Sequence, residues 1–450
     1  MSATATATLH PDEKFKAGKA GQSLFRLGLV GFIIFIAASL IFSTSAASHY
    51  TAEDLKAAPT LSASGMGRFF YAYLIGWSWI LSIALGSLLF VLIHHAVKAK
   101  WSVTTRRLAE ILSSTILWIG VAGLVFVIPV LAGNKDIYYW AHPDAHFPGA
   151  PGKSGWLSPA AWAARYAFYF IIWIAIAKWF EAKSRKMDEI GDVAEEGHTK
   201  TLSARMRWLS YPMIVVYALS VNYAGYDFLM GTAPKWFSTI YSVNFFGGCM
   251  MAAYASISLF AWMLQRSGRL TRSVNAEHYQ DLGKMLFAFT FFWTYTAFSQ
   301  FMLIWYANVP EETVFYNYRM FSEWSTVSWI LLFCQFAIPF TFLLSRWTKR
   351  ILPVFVAFCI WQMLFHWVDL YWNVMPHYHW GADIHGSAVS VTGPLSGPVD
   401  NNTISFNPVD VTAWLAMLFF FVAAVGRGMR GNLIPIKDPN LGASLAHENY

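Results

Sequence analysis

Residues 351–372 read ILPVFVAFCIWQMLFHWVDLYW, and Asp369 is the only formal charge in them. A helix of about 20 residues rises about 30 Å, the depth of a bilayer's hydrocarbon, so this run predicts a membrane-crossing helix. Nine more such runs flank it, at 23–43, 69–97, 108–132, 160–180, 208–230, 238–264, 283–307, 325–345 and 411–427. Composition agrees, since 56% of the 450 residues are hydrophobic and 13% charged, where soluble domains carry about a quarter. The sequence therefore predicts an all-α integral membrane protein with ten transmembrane helices. Residues 1–22 and 431–450 read as polar tails on one membrane domain, 23–430, with no soluble catalytic domain. Ser45, Ala46 and Ala47 end the first run like a signal-peptidase site, but the long polar lead favours a retained helix.

Charge gives a direction. Alternate connections hold 23 lysines and arginines, among them Lys14, Lys98, Arg106, Arg185, Arg269, Arg350 and Arg427. The connections between them hold six: Lys56, Arg68, Lys135, Lys153, Lys235 and Arg319. By the positive-inside rule the basic set is cytoplasmic, which predicts a bacterial inner membrane protein with both termini in the cytoplasm. The net charge of +7 is thus a topology signal and not a mark of nucleic-acid binding. The 181–206 connection carries a solvated acidic run, DEIGDVAEE. Loops 133–159, 308–324 and 373–410, rich in aromatics, Pro and Gly, face outward as docking surface.

Ionisable groups are costly in hydrocarbon, so each is a functional candidate. Gln362, His366 and Asp369 fall at i, i+4 and i+7 on one face of the ninth run, in its outer half. A His three residues before an Asp can share a proton with it. The other reading is a hydrogen-bonded pair that only holds helices together. On the fifth run Ser220, Tyr223 and Asp227 form a second stripe, with Arg165 on the fourth as a counter-ion. Thr296, Ser299 and Gln300 share a face of the seventh run, and Asn244 opens the sixth. Together these are candidates for an outer polar pocket serving as a proton path or quinone site. His94, His95, Glu110, Lys178 and Lys284 mark the inner ends, as an inner mouth or as snorkelling side chains. Ser78, Ser82, Thr115, Tyr217 and Thr290 lie between the two levels.

Cys249, Cys334 and Cys359 sit in apolar runs without metal-type spacing and read as packing residues. The histidines in or beside the runs, His94, His95 and His366, do not share a depth on facing helices, as a doubly ligated haem would require. No CxxCH, P-loop or dinucleotide fingerprint is present. The sequence predicts no redox cofactor of its own.

The segments 223–248 (YAGYDFLMGTAPKWFSTIYSVNFFGG), 282–312 (LGKMLFAFTFFWTYTAFSQFMLIWYANVPEE) and 361–373 (WQMLFHWVDLYWN) carry a resemblance. They are similar to the polysulfide-reductase-like membrane subunits of the NrfD family, above all the ActF-type subunits of bacterial alternative complex III, with the ActC paralogue as the other candidate. The resemblance covers roughly residues 20–430. It implies two four-helix bundles, spans 2–5 and 6–9, with peripheral first and last helices, related by a pseudo-twofold along the membrane normal. It also implies a non-redox subunit of a quinol:cytochrome c oxidoreductase, acting as scaffold and as proton path or quinone-binding subunit. The partners implied are a paralogous quinol-binding subunit, iron–sulfur and multihaem cytochrome c subunits, a terminal oxidase and membrane lipid. Menaquinol or another quinol is the implied small molecule, with haem and iron–sulfur clusters in the partners. A secondary transporter and a purely structural anchor are the alternatives.

Overall fold

The computed structural model describes residues 9–46, 66–134, 136–141, 155–189, 196–234, 236–380, 404 and 406–449. Among the described residues, ten helices are long and apolar enough to cross a membrane. They are α1 Ala20–Ala46, α2 Met66–Ala96, α3 Val103–Leu131, α4 Pro159–Glu189 and α5 Glu196–Phe228. The second half holds α6 Tyr241–Arg266, α7 Ala276–Ala307, α8 Trp324–Leu344, α9 Leu352–Val374 and α10 Pro408–Gly428. The described residues contain no β-strand, and the chain is a multi-pass helical membrane protein. The stretches 142–154 and 381–403, within the loops read as docking surface, lie outside the described residues.

Helices α2 to α5 pack in a ring, each on the next and α5 back on α2; α6 to α9 repeat the pattern. The rings meet through α2 and α6, with α5 reaching α6 and α9 reaching α2, as a twofold along the bundle requires. Helix α1 lies on α10, and α10 lies on α2, so the first and last helices form an outer layer.

Small residues set the closest approaches, as they do where lipid gives helices no hydrophobic reason to associate. Gly86 on α2 faces Cys249 and Ala253 on α6. A Cβ on Gly86 would stand 2.0 Å from the Cys249 carbonyl oxygen. On the outer layer a Cβ on Gly28 would stand 2.3 Å from the Ala423 amide nitrogen. In α3 the hydroxyls of Ser113, Ser114 and Thr115 each bond the carbonyl three residues back, and the helix breaks between Ser113 and Ile116.

The described segments nearest the two termini, from Leu9 and up to Asn449, lie at one end of the bundle, called here the terminal side, and the opposite end is the far side. The C-terminal segment, read above as a tail, is folded onto the helix ends. Ala17 N–H donates to Gly431 O at 2.9 Å, and Leu433 N–H donates to Phe15 O at 2.7 Å. Asp438 pairs with Arg106, and the Ser444 hydroxyl donates to Trp101 O at 2.6 Å. Lys284 belongs to this clasp, reaching Asp281 at 2.8 Å and Asn449 at 3.1 Å.

Candidate functional site

Pro353 in the first turn of α9 fixes the entry of the helix, and its 3.6-residue period puts Gln362, His366 and Asp369 on one buried face. That face meets α2, α6 and α7. Ser82 on α2 donates to its own helix at Trp79 O, 2.7 Å, so its oxygen accepts from His366 Nε2–H at 2.9 Å. This tautomer leaves His366 Nδ1 without a hydrogen-bond partner and 3.9 Å from Asp369 Oδ2. The imidazole rests on Gly248 of α6, where a Cβ would come within 2.6 Å of Cε1.

Asp369 accepts from Trp293 Nε1 at 3.2 Å through Oδ2 and from Asn373 Nδ2 at 3.0 Å through Oδ1. Among the described residues its carboxylate meets no lysine or arginine at ion-pair distance. One helical turn deeper, Gln362 Nε2 donates to Thr290 on α7 at 2.7 Å, while its Oε1 is buried without a partner. Gln300, two turns from Trp293 on α7, is also buried, and Asn244 donates to Thr296 at 3.0 Å and to Trp293 O at 2.9 Å.

Asp227 is built differently. Arg165 grips it from α4 with Nε on Oδ2 and Nη2 on Oδ1, both at 2.8 Å. Trp156 Nε1 and Tyr169 OH add bonds at 3.0 and 2.8 Å, and the guanidinium stacks 3.9 Å from the Trp156 ring. Every lone pair of that carboxylate is directed at a donor, which marks a structural ion pair. Its partners come from α4 and the residues just before it, whereas those of Asp369 come from α7 and α9. The stripe residues therefore form two clusters. Tyr223 belongs to neither as a donor: it is 46% exposed and lies against Trp156.

On the terminal side His94 and His95 line a polar cleft of about 220 Å³ with Lys98, Arg106, Lys200 and Arg207. His94 Nδ1 bonds Phe90 O at 2.7 Å, and His95 Nε2 is buried without a partner. Glu110 lies elsewhere, with Oε2 3.0 Å from Arg107 Nε; Arg107 also reaches Asp188 at 3.1 Å. Lys284 is in the clasp and not at this cleft.

Several residues at the far side gave little signal in the sequence. Arg68, counted as a loop charge, grips Asp410 of α10 with bonds of 3.1 and 2.6 Å, and Tyr371 donates to the same carboxylate at 3.1 Å. Arg319 is buried and donates to the carbonyls of Phe315, Trp372 and Asn373. Burial pulls its guanidinium down from the ordinary arginine value to about 9, the nearby tyrosines opposing this. Trp293 stands on the same α7 face as Thr296 and Gln300, a periodicity that could have flagged it.

No family model and no curated protein matches the chain. Chemically, the α9 cluster can take up and pass a proton. It places a bare imidazole nitrogen, a carboxylate without a fixed cation and an unsatisfied amide oxygen within two helical turns, all shielded from solvent.

Proposed function

We propose that this chain is a cofactor-free membrane subunit of a quinol-oxidising complex delivering electrons to cytochrome c or another periplasmic acceptor. In this reading it is a scaffold that also provides a proton path, with the terminal side in the bacterial cytoplasm. The observation that carries it is the His366–Asp369 pair. Burying a charge without a fixed partner costs several kcal/mol, so a carboxylate kept there is better suited to exchanging a proton than to holding helices. Asp369 Oδ2 and His366 Nδ1 are the two proton-holding atoms, and Ser82 keeps the imidazole in the tautomer that faces the carboxylate. The cleft at His94 and His95 is the proposed entry from the opposite end.

Quinol fits this cluster poorly. The His366 ring is packed on Gly248. An apolar groove of about 380 Å³, lined by Trp79, Met363, Leu364 and Trp414, includes neither His366 nor Asp369 among its lining residues. No titratable residue lines the groove to take a quinol's protons, so in this reading quinol oxidation is assigned to the paralogous subunit and the electron carriers to iron–sulfur and haem partners. The test is purification from native membranes in mild detergent. Haem absorbance and iron co-migrating with the chain are expected, with quinol turnover lost in the His366→Gln, Asp369→Asn double variant. A chain that purifies alone, or a double variant with full turnover and proton release, would overturn the proposal.

A further inference from the structure

Where α4 and α10 end on the terminal side, they enclose with the break in α3 an open cleft of about 480 Å³. Lys178 and Arg185 enter it from α4, Arg427 from α10 and Arg430 from just beyond, against the single acid Glu181. Glu181 is already shared, by Lys178 at 3.0 Å and Arg185 at 3.1 Å. Arg185 is fixed further by donating to Gly428 O at 3.2 Å and to the Arg430 carbonyl. The Arg427 guanidinium is exposed and has no hydrogen-bond or ion-pair partner among the described residues. Among the described residues, Arg430 spends only its Nε, on the Arg427 carbonyl at 3.1 Å. Among the described residues lining the cleft, a surplus of cations thus converges with no further carboxylate to meet it.

The wall above the cleft is apolar. Leu117 and Trp118 line it, and Val121 continues the strip one turn further into the bundle's midsection; they are 37%, 41% and 53% exposed. A cationic basin at the membrane boundary, continuous with an exposed apolar strip and edged by a tryptophan, matches one amphiphile. We propose that the cleft binds the phosphate of an anionic phospholipid, with an acyl chain lying along Leu117, Trp118 and Val121. Basic pockets between helix ends recognise such headgroups through charge and hydrogen bonding together. A zwitterionic lipid brings its own cation and gains little from four more.

The experiment is native mass spectrometry of the full chain after delipidation and titration with phosphatidylglycerol or phosphatidylcholine. Phosphatidylglycerol is expected to bind at least tenfold more tightly. The Arg427→Gln, Arg430→Gln variant is expected to lose about fivefold per arginine, while the corresponding lysine pair retains most of the preference. Equal binding of both lipids, an unchanged glutamine variant, or displacement of the lipid by millimolar inorganic phosphate would overturn the proposal. If the glutamine variant does not fold, the preference of the unaltered protein is read against salt. It should shrink as ionic strength rises, and a salt-independent preference also counts against the site.

Discussion

Asp227 and Asp369 lie towards the far side on the last helix of each four-helix ring, yet only Asp227 is clasped by an arginine. Arg165 forms a two-pronged bond with it, whereas Asp369 has an indole, an amide and an imidazole. One carboxylate thus has a fixed cation, and the other has no lysine or arginine at ion-pair distance among the described residues.

The two should respond oppositely to the same substitution. Asp227→Asn leaves the partly exposed Arg165 facing an amide and is expected to cost about 2 kcal/mol, read as a lower melting temperature in detergent. Asp369→Asn is expected to cost only about 1 kcal/mol, because one of the two donors, Trp293 or Asn373, loses its acceptor while no cation is left facing an amide. Proton release by the assembled complex should fall by at least about tenfold. A large stability loss at Asp369 would assign it to structure.

Gly248→Ala tests the placement of the imidazole. The added Cβ overlaps the His366 ring, so the ring must leave Ser82 or α6 must shift, at an expected cost of about 1–3 kcal/mol. Ser82→Ala leaves the ring in place and should cost about 1 kcal/mol. A wild-type melting curve for Gly248→Ala would show that the ring does not sit there.

The clasp at the terminal side should be worth more than an exposed tail. Asp438→Asn leaves buried Arg106 facing an amide and is expected to destabilise by about 3 kcal/mol. Limited proteolysis should then cleave within 432–449, where the unaltered protein resists. Equal protease resistance would mean that the segment is held by its other bonds.

Lys349 gives a pH signature. Burial, reinforced by Lys284, pushes its ammonium below the ordinary lysine value, while Leu343 O accepts from it at 2.7 Å. The unfolded chain then binds more protons between the folded value and about 10.4, so stability rises with pH across that window. Below the folded value both states are protonated and the full penalty persists. Thermal melts of wild type and Lys349→Met, taken from neutral pH to about 10.4, should converge as pH rises. A constant gap would refute the assignment.

The ten helices were legible because each needs a long apolar run and because charge alternates between connections. Helix ends were not: α4 continues to Glu189 and α2 begins at Met66, since a helix leaving hydrocarbon keeps its backbone bonds after its side chains turn polar. The α9 face was readable from periodicity alone. Its surroundings were not, because Trp293, Gly248 and Ser82 reach it from three other helices, and spacing within a segment carries no information on which segments meet. The separation of Asp227 from Asp369 was hidden for the same reason. Arg68 was misread as a loop charge because its carboxylate lies 342 residues further along the chain.

That last pairing bears on how the protein is made. Helix α2 is buried along its whole apolar length, and α3, α5, α6, α9 and α10, which pack on it, are all synthesised after it. A nascent chain must therefore hold a finished α2, with Arg68 at its head, in lipid or in the insertion machinery until Asp410 emerges.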